Sequence, residues 1–174
     1  MMLKTATKWF WVWEHEKEEE WLNAMSQQGW QLKSVGFARY TFESGSPGKY
    51  SYRLEFLEHF PHSAKGQDYL GFLSETGIEH VASYSRWVYL RKEGAAEAFE
   101  LFSDDESLLK HISRLLTMIM PLLVLNLFFA SSHLIQWASG HYYPFFPFVI
   151  QSGVSLLLLF GAIKLWLKVK AIKK

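Results

Sequence analysis

The sequence contains no cysteine, which excludes disulfides, thiolate zinc sites, iron–sulfur clusters and cysteine nucleophiles. It contains no acidic residue after Glu106, and no charged residue of either sign for 49 positions between Arg114 and Lys164. It has no Gly-x-Ser-x-Gly elbow, and Gly45-Ser46-Pro47-Gly48 lacks the lysine and the helix start of a phosphate loop. The first residues lack a signal peptide's long apolar stretch and small-residue cleavage site. Their apolar run is only Trp9 to Trp13, and acids follow at once. We therefore expect no signal peptide and an N-terminal domain that stays in the cytoplasm.

The missing charges divide the chain. Residues 1–106 hold all 17 acids and 11 basic residues, net −6, while residues 107–174 hold seven basic residues and no acid, net +7. The acidic first part is long enough for one modest core. Its charge argues against nucleic acid as a partner, because phosphate contacts need clustered Lys and Arg.

The uncharged stretch is broken once, at Ser139-Gly140-His141-Tyr142-Tyr143-Pro144. Its halves, Leu115–Ala138 and about Phe145–Leu167, are each long enough as helices to cross a hydrocarbon core of roughly 30 Å. We read a transmembrane hairpin, with the lipid bilayer as partner. Pro121 falls in the first helix's early turns, and Pro144 and Pro147 at the entrance to the second. Lys110 and Arg114 precede the hairpin, Lys164, Lys168, Lys170, Lys173 and Lys174 end it, and the loop has no Lys or Arg. The positive-inside rule then places both termini in the cytoplasm. Tyr142 and Tyr143 suit the outer interface, and Trp166 with a snorkelling Lys164 the inner one. Asn126 and Gln136 are expected to hydrogen-bond to the partner helix.

In residues 1–106, the aromatic run Trp9–Trp13 reads as a strand and Glu14–Gln28 as a helix stopped by Gly29, with acids in its first turn favouring the helix dipole. Trp30–Glu43 alternates, with a bulge or bend at Gly36, and so does Lys49–His59. Joined by Ser44–Gly48, these two stretches read as an antiparallel hairpin. A short helix Gln67–Thr76 stops at Gly77, and Ile78–Lys92 is a last strand region. Gly94–Phe102 reads as a linker or short helix, and Ser103-Asp104-Asp105-Glu106 as a cap on the first membrane helix. In each half a helix ends at glycine and runs into a strand. The predicted class is α+β, a ferredoxin-like β-α-β-β-α-β domain (residues 1–106) followed by the hairpin (residues 107–174).

Five blocks recur in this order: Lys8-Trp9-Phe10-Trp11-Val12-Trp13, Glu18-Glu19-Glu20-Trp21-Leu22-Asn23, Gly29-Trp30-Gln31-Leu32, Tyr50-Ser51-Tyr52-Arg53-Leu54-Glu55 and Ser85-Arg86-Trp87-Val88-Tyr89. On these the chain resembles the domain-of-unknown-function family two-eight-one-two, small membrane proteins of Gram-positive bacteria. The resemblance implies a membrane protein often encoded beside PadR-like transcriptional regulators, hence a role in membrane-linked regulation. It supplies no catalytic residues.

Candidate sites are few. His59 and His62, with Asp68 or His80 as a third ligand, would make a metal site, but the spacing matches no established one and a solvated loop is the better reading. His133 and His141 flank the outer end of the first membrane helix and read as interfacial. Ser83 and Ser85 with the histidines lack a hydrolase's context. We assign no catalytic residue, metal or cofactor.

Arg39, Arg53 and Arg86 stand among aromatics on predicted strands, and with Trp11, Trp30 and Trp87 they form the candidate ligand-binding set, arginine pairing an anion and rings stacking on it. The alternative is sheet packing, with arginine paired to Glu43 or Glu55 across strands. The functional reading is a membrane-anchored, non-catalytic regulatory or sensory module that binds a protein or small ligand. The alternatives are an accessory subunit of a membrane transporter and an enzyme with its site on the sheet. Protein partners would be a regulator, a transporter, or a second copy paired through the sheet.

Overall fold

A computed structural model of the chain describes residues 2–94, 99–102, 104–140 and 145–173. It divides the chain into two compact units, Met1–Ser107 and Leu108–Lys174.

The first unit is built on strands β1 (Leu3–Thr7), β2 (Trp30–Gly36), β3 (Arg39–Ser44), β4 (Tyr50–Phe56), β5 (Glu79–Tyr84) and β6 (Trp87–Glu93), with helices α1 (His15–Gln27) and α2 (Ala64–Glu75). Helix α1 forms where His15, Glu18, Leu22 and Met25 recur at spacings of three and four and are buried together. It stops at Gly29, whose φ of +81° suits a residue without Cβ. Helix α2 starts on Ser63, whose hydroxyl accepts from the Gly66 N–H, and ends before Gly77 at φ +79°.

The strands form two antiparallel sheets, ordered β1-β3-β2 and β4-β6-β5. Leu22 and Met25 of α1 share one core with Leu32, Tyr40 and Phe42 of the first sheet and Tyr52, Leu54 and Tyr89 of the second. The other face of the second sheet, Val88 and Leu90, shares a second core with Leu70 and Leu73 of α2.

The α+β class holds, but two three-stranded sheets stand where we expected one four-stranded ferredoxin-like sheet. Trp9–Trp13 is not a strand. Lys8 is held by its N–H on the Ala38 carbonyl at 3.0 Å, and the run closes in a short 3₁₀ turn at Val12–Glu14. The first strand is Leu3–Thr7. Trp30–Glu43 is itself a hairpin, turning at Phe37-Ala38, and β3 and β4 lie in different sheets rather than pairing. Ile78–Lys92 likewise turns at Ser85-Arg86 into β5 and β6. In both places a two-residue turn carries a non-glycine residue at positive φ, Ala38 at +51° and Ser85 at +57°. Without Asn-Gly or Asp-Gly there, the reversal has no strong sequence signal.

The unit is a duplication. Each half runs β-α-β-β with the first strand pairing the third, and Gly77 follows Gly29 by 48 residues. The same step carries Leu22 to Leu70, Met25 to Leu73 and Phe42 to Leu90, all buried. It also carries the register break between Leu32 and Ser34 to that between His80 and Ala82.

The second unit is helices α3 (Asp105–Ala138) and α4 (Phe145–Ile172), each long and apolar enough to cross a membrane. Val124, Phe128 and Ile135 of α3 and Leu156, Phe160 and Ile163 of α4 are exposed. Such outward apolar faces suit lipid rather than a soluble core. Asp104 caps α3 by accepting from the Ser107 N–H at 2.6 Å; Ser103 lies outside the described residues, as do residues 95–98 of the expected linker and His141–Pro144 of the loop. Because α3 begins ten residues before Leu115, Pro121 lies well inside it rather than in its early turns. Gln151 of α4 donates to the Asn126 side-chain oxygen of α3 at 2.6 Å, the expected interhelical bond, while Gln136 is exposed.

Candidate functional site

Two of the four acids of α1, Glu18 and Glu19, face inward. Glu18 Oε1 accepts the hydroxyls of Tyr40 on β3 and Tyr89 on β6, both at 2.7 Å, tying the two sheets to one carboxyl. Burial raises the Glu18 pKa above the usual carboxylate range, against the pull of the two tyrosine bonds. The same burial and the neighbouring carboxyl push both tyrosine hydroxyls upward.

One helical turn apart, Glu19, Asn23 and Ser26 face the outer edge of β4. The Leu54 N–H donates to Glu19 Oε1 at 2.7 Å. Asn23 accepts from the Tyr52 N–H at 2.7 Å and donates to its carbonyl at 3.1 Å. The Ser26 hydroxyl donates to the Tyr50 carbonyl at 2.6 Å. The helix thereby replaces a neighbouring strand along an edge that would otherwise be open. Burial lifts Glu19 to about 7, against the Leu54 bond and the Arg53 charge, with Glu16 and Glu18 adding to the rise.

The candidate arginines do not converge. Arg39 is exposed at the start of β3. Arg53 faces Glu19 at 3.7 Å and the Phe99 ring at 6.0 Å. Arg86, in the β5–β6 turn, donates Nε–H to the Leu57 carbonyl at 2.7 Å and sits 4.4 Å from the Phe56 ring centre. Trp87 joins that corner, 5.3 Å from Phe56 and 5.7 Å from His15. Trp30 lies apart, with the Lys4 ammonium 5.1 Å away. The arginine partners anticipated across strands are otherwise engaged: Glu43 with Lys33 at 3.5 Å, and Glu55 accepting the Tyr69 hydroxyl at 2.8 Å.

A cleft of about 420 Å³ is lined by Phe60, Pro61, His62, Gln67, His80, Ser83 and Ser85. His80 Nε2 lies 2.7 Å from Ser83 Oγ, the separation of a nucleophile and its base, but the same nitrogen lies 2.9 Å from the Ala82 carbonyl. A carbonyl only accepts, so Nε2 carries the proton and cannot take one from the serine. Burial lowers the His80 pKa, against the pull of the Ala82 carbonyl. Among the described residues no three His, Asp or Glu side chains group to hold a metal ion.

Beyond the tips of both hairpins, rings form a continuous exposed chain. Trp11 stacks on buried Trp13 at 5.4 Å and meets Trp9 edge-on at 5.3 Å. Trp9 meets Phe37 at 5.3 Å, and Phe37 meets Tyr84 at 6.4 Å. Trp9 is 50%, Trp11 37%, Phe37 68% and Tyr84 42% exposed. Of these, sequence reasoning singled out only Trp11. The signal for Phe37 was a large ring between Gly36 and Ala38, and it was hidden once Gly36 was taken as a bend within one strand.

These features define the class: a small duplicated α+β unit followed by two helices fit to cross a membrane. A family model described as "Protein of unknown function (DUF2812)" matches residues 14–124, from the start of α1 through β6 into α3, and the chain belongs to that family. No curated protein and no solved structure matches it.

Proposed function

We propose that the chain is a membrane-anchored, non-catalytic module whose N-terminal unit binds a partner on the cytoplasmic side and serves regulation or sensing. One observation carries the reading: a unit whose buried acids, amides and hydroxyls are occupied in holding strands together is followed by two membrane-length apolar helices. The tautomer of His80 and the dispersal of Arg39, Arg53 and Arg86 speak against a reaction centre on the sheet. The pairing of Asn126 with Gln151 speaks against α3 offering that amide to a transporter.

The full chain at native expression is expected to stay in membranes through alkaline carbonate extraction. Protease is expected to cut the N-terminal unit in inside-out vesicles and to spare it in right-side-out ones. Release by carbonate refutes the anchor, and the opposite protease pattern refutes the topology. A cellular phenotype lost in His80→Gln with Ser83→Ala, the fold intact, refutes the non-catalytic reading.

A further inference from the structure

The exposed ring chain has a charge to match its chemistry. Residues 3–13, 34–42 and 80–88, which supply it, contain Lys4, Lys8, Arg39 and Arg86 and no Asp or Glu, within residues 1–106 that carry net −6. The acids that border these ranges are each paired, Glu14 with Lys17 at 2.7 Å, Glu43 with Lys33 at 3.5 Å and Glu79 with Arg91 at 2.8 Å, and Glu58, next to the Arg86 contact at Leu57, lies 3.9 Å from His59. Lys8 is fixed above the Phe10 and Trp21 rings at 4.9 and 4.8 Å.

We infer that this end of the N-terminal unit docks on the headgroup layer of an anionic bilayer, with Trp9, Trp11, Phe37 and Tyr84 entering the interface and Lys8 and Arg39 facing lipid phosphates. Tryptophan and tyrosine are the side chains that partition to that layer, because each joins an apolar ring to a polar handle. Cations at the rim add attraction to anionic lipid. The charge asymmetry also orients the unit. Its acidic remainder is repelled by a negative surface, so this end arrives first. The inference rests on the anchored reading above, since the two helices keep the bilayer at high local concentration. A second copy of the chain fits less well, because cations around the rings would face cations.

The absence of cysteine allows one nitroxide label per molecule. Thr7→Cys places it at the end of β1, exposed and opposite Arg39, and Ser74→Cys places a control on the exposed face of α2. The full chain is reconstituted in phosphatidylcholine vesicles with or without phosphatidylglycerol as minority lipid. Collisions with dissolved oxygen and with a water-soluble nickel chelate then report depth.

We expect the Thr7 label to become lipid-like in anionic vesicles while the Ser74 label stays aqueous. Trp9→Ser with Phe37→Ser should return the Thr7 label to water. Arg39→Gln, which leaves the rings in place, should lower the ratio of docked to undocked chains roughly fivefold, the effect of one cation at an anionic surface.

A Thr7 label that stays aqueous in both vesicles, in a chain that resists carbonate, overturns the docking and leaves the anchor standing. Density-dependent spin–spin broadening at Thr7 without lipid contact overturns it in favour of a second copy. Carbonate release removes the anchor, and this inference with it.

Discussion

Glu19→Gln is expected to stabilise the protein at pH 8 and to leave it unchanged at pH 4. The Glu19 side chain is 14% exposed, and its carboxyl is lifted from 4.5 to about 7. Between those values the folded chain holds a proton that the unfolded chain has released. Stability therefore falls as pH rises through that window and is level on either side. Each pH unit between the two values is about 1.4 kcal/mol, so keeping the carboxylate ionised costs the fold about 3 kcal/mol above pH 7. Glutamine retains an acceptor for the Leu54 N–H and removes the charge. The attraction of Arg53, 3.7 Å away, is already contained in that net rise, so the gain at pH 8 is about 3 kcal/mol. Glu18, raised in the same direction, remains in both proteins and cancels. Chemical denaturation of the full chain in mild detergent measures it by tryptophan fluorescence, because six of the eight tryptophans lie in the N-terminal unit. A variant less stable than the parent at pH 8 refutes the reasoning. The ionised carboxylate's bonds to Leu54 and Arg53 would then outweigh its burial.

Two further substitutions probe the same helix. Tyr40→Phe or Tyr89→Phe each removes one of the two hydroxyls on Glu18 Oε1 and should cost about 2 kcal/mol, with the double variant losing more than the sum because the carboxyl is then buried without a donor. Additive losses in the same denaturation series would show that the two bonds act independently. Asn23→Ala strips the Tyr52 N–H of its partner, leaves its carbonyl with the Arg53 guanidinium at 3.2 Å, and should cost about 2 kcal/mol, with faster amide exchange at Tyr52 than at Leu90 in the strand next to it. Unchanged exchange at Tyr52 would mean that water holds the edge of β4 as well as the helix does.

Elements with their own periodicity were legible in the sequence. Helix α1, helix α2 and the two apolar helices followed from spacing, length and glycine stops, and the family from five ordered blocks. The hairpin turns were not, because Phe37-Ala38 and Ser85-Arg86 reach positive φ without glycine, and each pair of strands read as one. The sheet partners were not legible either: β3 and β4 alternate like a hairpin, yet β3 pairs with β2 and with the distant β1, and β4 with the distant β6, which no local pattern encodes. By composition alone Glu18 and Glu19 are early acids that favour the helix dipole. Their spacing held a hint, since Glu18 falls on the stripe of Leu22 and Met25, and Glu19 on that of Asn23 and Ser26. The three arginines stand apart because Arg53 lies within β4, Arg86 in the β5–β6 turn and Arg39 in the first sheet, a matter of strand pairing rather than composition.

The duplication explains both what survives in the sequence and what does not. Positions that pack, Leu22 with Leu70 and Met25 with Leu73, kept apolar side chains because each half needs a helix on its sheet. Of the positions that hold the edge of β4, Glu19 and Asn23 did not keep their side chains, and Ser26 kept its hydroxyl with no strand edge to hold. Glu19, Asn23 and Ser26 correspond by the same step to Gln67, Gly71 and Ser74, all exposed on α2, where no strand runs alongside. The first helix thus joins the two halves by lying along the leading strand of the second, whereas the second helix covers only its own sheet. Polar residues of α1 are therefore structural in one half and without that role in the other. Their chemistry, two carboxyls with raised pKa and an amide pairing like a peptide, serves the junction of the halves. The ring-bearing ends of the hairpins lie elsewhere, where both halves expose aromatic side chains that neither core uses.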